Sequence, residues 1–419
     1  MNHHPASAAP AVPSPAPAVW DERRPLADTR LLELVADARV IGVGESAHFV
    51  AELNAARASL VGALIRDAGV VLVALEIGHD EAPIVEQWLA GERPGPLRTL
   101  VGPLTAALYG TFLEDLRCRL PHGRGIRILG ADLPNSMSIA TSVAPLGELL
   151  AEIDPAAAEL VHAAGELASR VEGGSAAASA TSWLALDREV QDSLTVHLAY
   201  LRARIDALAA VHRAGDDAGR WRAASALIEA AATTEVMLRA MADLFSGTGR
   251  VDDTTIREAF VARRIGEAVR TLRDGERIAY VAHDNHIQKT PVLFDGVLTA
   301  YPAGSLLAGE LGAGYRAIAL THADEQVPEM AFPATNRVGF RVERVEAAAP
   351  GERSAESACA EVLQSAAAAI IPWQVVAGDG GATIRSQSAA TDVTAESFDL
   401  ALVVASATTD PAVALLGLD

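Results

Sequence analysis

The run Arg39-Val40-Ile41-Gly42-Val43-Gly44 is apolar, rich in β-branched residues, and stops at a glycine. It reads as a buried strand. From Phe49 to Arg66 the apolar residues Leu53, Ala56, Leu60 and Leu64 recur every three or four positions, the spacing of a helix. Val70-Val71-Leu72-Val73-Ala74-Leu75 is a second continuous apolar run, the pattern of a strand covered on both faces. Strand, helix and strand in this order predict a parallel βαβ unit with a right-handed crossover.

Runs of the same type recur outward from this unit. Arg127 to Ala131, Arg277 to Ala282, Tyr315 to Leu320 and Asp399 to Ala405 each read as further strands, and the regions between them as largely helical. A helix is expected from Asp28 to Ala38 before the first strand. The fold class is therefore α/β, with a mainly parallel central sheet flanked by helices. The segment from about 142 to 244 differs: it is rich in Ala and Leu, has few strand signals, and predicts a helical insertion that forms a lid, a wall or an enlarged core. The Ala/Pro-rich residues 1–19 read as a disordered leader, and 20–419 as the folded domain.

Bulk properties exclude several function classes. Of 419 residues, 50% are hydrophobic, which suits a globular chain. The formal net charge of −20, with no basic stripe, argues against nucleic acid as a partner and would attract a cationic ligand. No apolar stretch is long enough for a membrane span, and the leader lacks the basic start and apolar run of a signal peptide. The two cysteines, Cys118 and Cys359, form neither a disulfide framework nor a CxxC site. They read as buried thiols, in keeping with a cytoplasmic location.

Ligands of open parallel sheets bind at the carboxyl ends of the strands. The first strand is followed by Gly44-Glu45-Ser46-Ala47-His48, and the second ends at Glu76. The third ends at Asp132, and the fourth runs into His283-Asp284-Asn285-His286. Taken singly, each has a bland explanation: a helix cap, a buried carboxylate, a hydrogen-bonded core histidine. Four such ends at one edge of the sheet point to a site. Three His and two Glu suit either a metal site or metal-free general acid–base hydrolysis, although no HExxH helix is present. No G-x-S-x-G elbow marks a serine nucleophile. Gly42-Val43-Gly44 lacks the third glycine of a dinucleotide loop, and the acidic residue after it would oppose phosphate.

These residues carry a family resemblance. Val43-Gly44-Glu45-Ser46-Ala47-His48, Arg57 on the next helix, Ala74-Leu75-Glu76, and Tyr280-Val281-Ala282-His283-Asp284-Asn285-His286 with the following Ile287 to Pro291 resemble the two signatures of the erythromycin esterase family, nearest to its type II members. The resemblance extends through Leu108-Tyr109-Gly110, Gly130 to Asn135, Tyr315 to Ala319, Val327-Pro328-Glu329-Met330 and Ile384 to Ala389, covering nearly everything from Leu26 onward. It implies a hydrolase without metal or cofactor that opens the lactone of 14-membered macrolides and confers macrolide resistance. It implies His48 as general base on water with Glu45 beside it, and Glu76, His283 and His286 lining the same site. Arg57 and Arg257 match family arginines and are expected, with Asp132, to bind substrate; the arginines would steady the developing oxyanion or hold the site's own glutamates. One departure concerns Ser46, where the family often has glycine, so the loop is expected to lose backbone freedom there. The alternatives are a metal-dependent hydrolase of another ester or lactone, and a non-catalytic ligand-binding protein on the same scaffold.

Overall fold

The computed structural model describes residues 16–120, 125–171, 173–294 and 296–418. The main sheet has eight strands, β1 (Ala18–Val19), β2 (Val40–Val43), β3 (Val70–Gly78), β4 (Arg127–Asp132), β5 (Arg277–Val281), β8 (Tyr315–His322), β11 (Ala368–Pro372) and β14 (Leu400–Val404). Their order across the sheet is β1-β11-β14-β8-β2-β5-β3-β4. The six strands from β14 to β4 are parallel; β11 runs antiparallel to β14, and β1 antiparallel to β11. All the strands expected from apolar runs are present, and the sheet is mainly parallel with helices on both faces.

Alternation along β2 and β3 explains the double burial. Ile41, Val43, Val73, Leu75 and Ile77 enter one core with Leu53, Leu60 and Leu64 of helix Ala51–Asp67. Val40, Leu72 and Ala74 enter the opposite core, with Ile265 of helix Thr255–Val269 and Leu307 of helix Ala303–Leu311. Each face excludes water from the strands, which is why these strands carry no polar alternation.

Three expectations are corrected. Most of the proposed leader, residues 1–15, lies outside the described residues, but Ala18–Val19 pairs with Ile370 and Ala369 as an edge strand. The regions between the parallel strands are not all helical. A four-stranded sheet is formed by β6 (Val292–Phe294), β7 (Val297–Ala300), β12 (Ala382–Ser386) and β13 (Ala389–Val393), and β9 (Gln326–Ala331) pairs with β10 (Arg341–Glu346). β6, β7, β9, β10 and β13 carry half-buried or exposed positions, and largely buried β12 carries Arg385 and Ser386, so none shows the continuous apolar signature of the central sheet. Cys118 is exposed rather than buried. Cys359 is buried, and burial pushes its thiol up to about 12.

Five helices, from Ala140–Ile153 to Ala218–Phe245, occupy the region expected to be inserted. They enclose a core of their own around Leu146, Leu150, Trp183, Leu198, Leu201 and Ile228. Among the described residues no helix is long and apolar enough to cross a membrane.

The end of β2 is set by close approach rather than by a turn. A Cβ on Gly44 would lie 1.6 Å from Asp284 Oδ1. Asp284 is itself fixed, since its N–H donates to the Glu45 carbonyl at 2.8 Å and its Oδ1 accepts from Leu320 N at 3.3 Å. Gly44→Ala should therefore destabilise the protein by roughly 1–3 kcal/mol, the cost of overpacking a buried site. Thermal denaturation monitored by circular dichroism checks this; an unchanged melting temperature contradicts it.

Candidate active site

Strands β2, β5, β3 and β4 are consecutive in the sheet, so Glu45, His48, Glu76, Asp132, His283 and His286 gather at one edge. One expectation about their backbone changes. Glu76 lies within β3 rather than at its end, next to an irregularity in the β3–β4 register between Leu75 and Gly78. In the loop after β2 Phe49 is left-handed, with φ 63°. A buried aromatic residue held in that region is strained and concentrated where a site is built.

His48 Nδ1 lies 2.8 Å from Glu45 Oε1. The other oxygen of Glu45 pairs with Arg57 Nη2 at 2.6 Å. Glu45 is 1% exposed and Arg57 0%. Arg57 also donates to Asn54 Oδ1 and sits over the rings of Tyr109 and Phe112, 5.6 and 5.3 Å from their centroids. Sequence similarity placed Arg57 near substrate or on the site's own glutamate. The structure places it behind the loop on Glu45, out of reach of the cleft.

The second cluster contains Glu76, Asp132, Arg257, Glu258 and His286. Arg257 Nε donates to both Asp132 oxygens at 2.9 and 3.0 Å, and Nη2 donates to Glu76 Oε1 at 2.8 Å. His286 lies between Glu76 Oε1, 3.1 Å from Nε2, and Glu258 Oε1, 2.7 Å from Nδ1. Burial alone would lower the His286 imidazole, but the charges of Glu258 and then Glu76 outweigh it and push it up to about 10. Burial likewise pushes the Glu76 carboxyl up, and the charge and hydrogen bond of His286, with Arg257, bring it well below its ordinary value. Asp132 is raised, chiefly by burial, against the pull of Arg257. Asp132 is 2% exposed and pairs with Arg257 rather than facing the cleft.

His283 has a different fate. Its Nε2 lies 2.9 Å from the Ser46 carbonyl, Nδ1 accepts from Asn285 N at 3.1 Å, and its own N–H donates to Glu76 Oε2 at 3.1 Å. These partners assign the neutral Nε2–H tautomer. Burial, with the neighbouring His48 and His286, holds this imidazole well below its ordinary value. Of the three site histidines, His283 is neutral with both nitrogens engaged by backbone, and His286 is charged between carboxylates. Only His48 keeps a ring nitrogen, Nε2, with no protein partner among the described residues, and its side chain is 16% exposed.

His48, Glu76, Arg257, Glu258, His283 and His286 line a cleft of about 1290 Å³. Its walls come from the helical region (Ala177, Met237, Met241), from β9 and the turn after it (Met330, Phe332), and from the β12–β13 turn (Ser386, Gln387, Ser388). Glu258, Glu329 and Gln387 were not singled out as site residues by sequence. Glu258 was adjacent to Arg257, and the other two lay inside segments of family resemblance, which were the available signals.

The fold and site together define an α/β protein that presents a carboxylate-held histidine to a large, mostly apolar cleft. The chain belongs to the erythromycin esterase family, whose model matches residues 65–398. It is 35% identical over 395 residues to erythromycin esterase type I of Escherichia coli, covering 92% of this chain and 95% of that protein. It is 25% identical over 345 residues to erythromycin esterase type II of Escherichia coli, covering 81% of each. The type II protein is the more distant of the two, which reverses the expected affinity within the family. A mutant of the erythromycin esterase EreC, solved in its open conformation, superposes with a TM-score of 0.85 at 33% identity, over 91% of this chain and 93% of that one.

Two outcomes test the electrostatics. The folded-state value of His286 is raised above the ordinary value of 6.5, so its stabilisation is complete below that ordinary value and is lost as pH rises through about 10. The stability difference between wild type and His286→Gln should thus shrink steadily from neutral pH toward pH 10, measured by urea denaturation; a pH-independent difference contradicts the assignment. Arg57→Met leaves Glu45 buried without its cation and should cost roughly 3–5 kcal/mol, read from the same denaturation midpoint.

Proposed function

We propose that this chain hydrolyses the lactone ester of 14-membered macrolides, with His48 as the general base on water. The observation that carries the reading is the chain Arg57–Glu45–His48, which ends in a free Nε2 on the cleft. Glu45 accepts the Nδ1 proton and so leaves Nε2 as the basic nitrogen, the orienting role of a carboxylate in catalytic triads.

In this reading His48 Nε2 takes a proton from water as the water oxygen attacks the ester carbonyl. The tetrahedral oxyanion collapses by breaking the bond to the ring oxygen. The His48 proton passes to that leaving alkoxide, giving a carboxylic acid and an alcohol and opening the ring. Arg257, a charged donor facing the cleft, is assigned to the developing oxyanion, while His286, with both ring nitrogens held by Glu76 and Glu258, contributes its positive charge. His283 has no proton to give, because its N–H is spent on the Ser46 carbonyl. Its role is to tie the β5 end to the His48 loop. Arg57 and Asp132 act by holding Glu45 and Arg257.

The cleft supports a large substrate. Its volume exceeds the roughly 300–1,000 Å³ of ordinary small-molecule pockets. Similarity to the type I and type II esterases supplies the substrate class, and a protonated amino sugar suits a chain of net charge −20. Acting in the cytoplasm, such an activity would protect a cell against macrolides.

The test is mass spectrometry of erythromycin incubated with purified protein. The expected product is heavier by one water, formed equally with and without a chelator, and His48→Ala should lower kcat by about 10²–10⁴-fold. Full activity in His48→Ala would remove the mechanism, and loss of activity with chelator, restored by zinc, would replace it with a metal-dependent one.

A further inference from the structure

The β12–β13 turn, Ser386-Gln387-Ser388, belongs to a sheet separate from the one that carries the site, yet it reaches across to the His48 loop. Gln387 N donates to the Ser46 carbonyl at 2.7 Å, and Gln387 Oε1 accepts from His48 N at 2.5 Å. One residue thus supplies a donor and an acceptor to alternate positions of the loop, as the edge of a neighbouring strand would. The amide orientation is set by its partners. Oε1 meets an N–H, and Nε2 donates to Glu329 Oε1 at 3.1 Å.

Glu329 is held in turn by Met330 N at 2.8 Å, Ser388 N at 3.0 Å and Ser388 Oγ at 2.9 Å. It fixes Gln387 from β9, the strand whose Met330 lines the cleft. Gln387 itself has φ 53°, in the left-handed region where glycine or asparagine is at ease. A glutamine there is explained by its side chain, not by the turn. Other bonds hold this loop at Ser46, whose N–H donates to the Leu320 carbonyl at 2.7 Å and whose carbonyl meets His283 Nε2, and at Phe49, whose carbonyl accepts from Asp410 N at 2.7 Å; the N–H of His48 between them is held by Gln387.

We propose that Gln387, braced by Glu329, is a positioning residue that clamps the His48 loop and keeps the ring on Glu45 with Nε2 in the cleft. This rests on His48 acting as the base, as proposed above.

The test compares two kinds of variant in the full-length protein. Gln387→Gly relaxes the backbone, keeps the N–H that meets the Ser46 carbonyl, and removes the side-chain hold on His48 N. It should leave the melting temperature equal or higher, lower kcat for erythromycin by roughly ten- to a hundredfold, and leave KM nearly unchanged. Hydrogen–deuterium exchange of residues 44–52 should quicken. Gln387→Glu alone sets two carboxylates against each other and should lower kcat. Combined with Glu329→Gln it restores an acceptor for His48 N and a donor–acceptor pair behind it, so most of kcat should return. Wild-type kcat and exchange in Gln387→Gly overturn the proposal, as does a kcat loss that follows a fall in melting temperature and is not rescued by the exchanged pair. If wild type does not turn over erythromycin, the functional reading fails, while the exchange rates still decide the clamp.

Discussion

The buried ion pair between Glu45 and Arg57 is the constraint on which the site depends. Neither group reaches solvent, so separating them would leave a charge in an apolar core. Arg57 is fixed by Asn54, which donates to Asp410 Oδ2 at 2.7 Å, and Thr111 donates to the other Asp410 oxygen at 2.6 Å. A continuous polar path therefore runs from the C-terminal segment through the helix after β2 to the imidazole of His48. Its members are short, stiff or ringed by aromatic side chains, and Glu45 has little freedom to choose another partner.

The same physics gives the three histidines different chemistry at one sheet edge. His286 lies between two carboxylates, whose charges overcome its burial, and it stays protonated. His283 is surrounded by backbone dipoles and other imidazoles, and burial keeps it neutral. His48 has one carboxylate on Nδ1 and open cleft on Nε2. Identical side chains become a cation and a neutral strut, while the third turns a ring nitrogen to the cleft, because their surroundings differ. Arg257 plays the balancing part, sharing its guanidinium between Glu76 and Asp132, so that three carboxylates pack together with two cations.

The cleft itself is assembled from pieces that owe little to the sheet. Met137, Met237, Met241 and Met330 line it, which is every methionine of the chain apart from Met1. Unbranched thioether side chains adapt to irregular apolar shapes, a useful property for a wall that meets a large ring. The one helix that supplies Met237 and Met241, Ala218–Phe245, packs into the core of the helical region, and β9 supplies Met330. The floor is rigid and charged, while the walls are apolar and adaptable.

The central sheet was legible because parallel strands buried on both faces leave continuous apolar runs, as at Val40–Val43 and Val70–Leu75. The site edge was legible for a related reason: an ionisable residue at the end of such a run is conspicuous, and Glu45 and His48 are near neighbours in the chain. The strands β6, β7, β9, β10, β12 and β13 were not, since polar or half-exposed positions interrupt any such run. Nor were the contacts of Glu258, His283 and Gln387 readable, and for Arg57 the sequence left the choice between oxyanion and glutamate open. His283 meets Glu76 from 207 residues away, and Gln387 meets His48 from 339. Sequence determined which residues stand at or near the carboxyl ends of the strands, because periodicity and hydrophobicity are local. Only the tertiary structure decided which nitrogen is free, which imidazole is charged and which arginine is buried, because those depend on partners that the chain brings together only by folding.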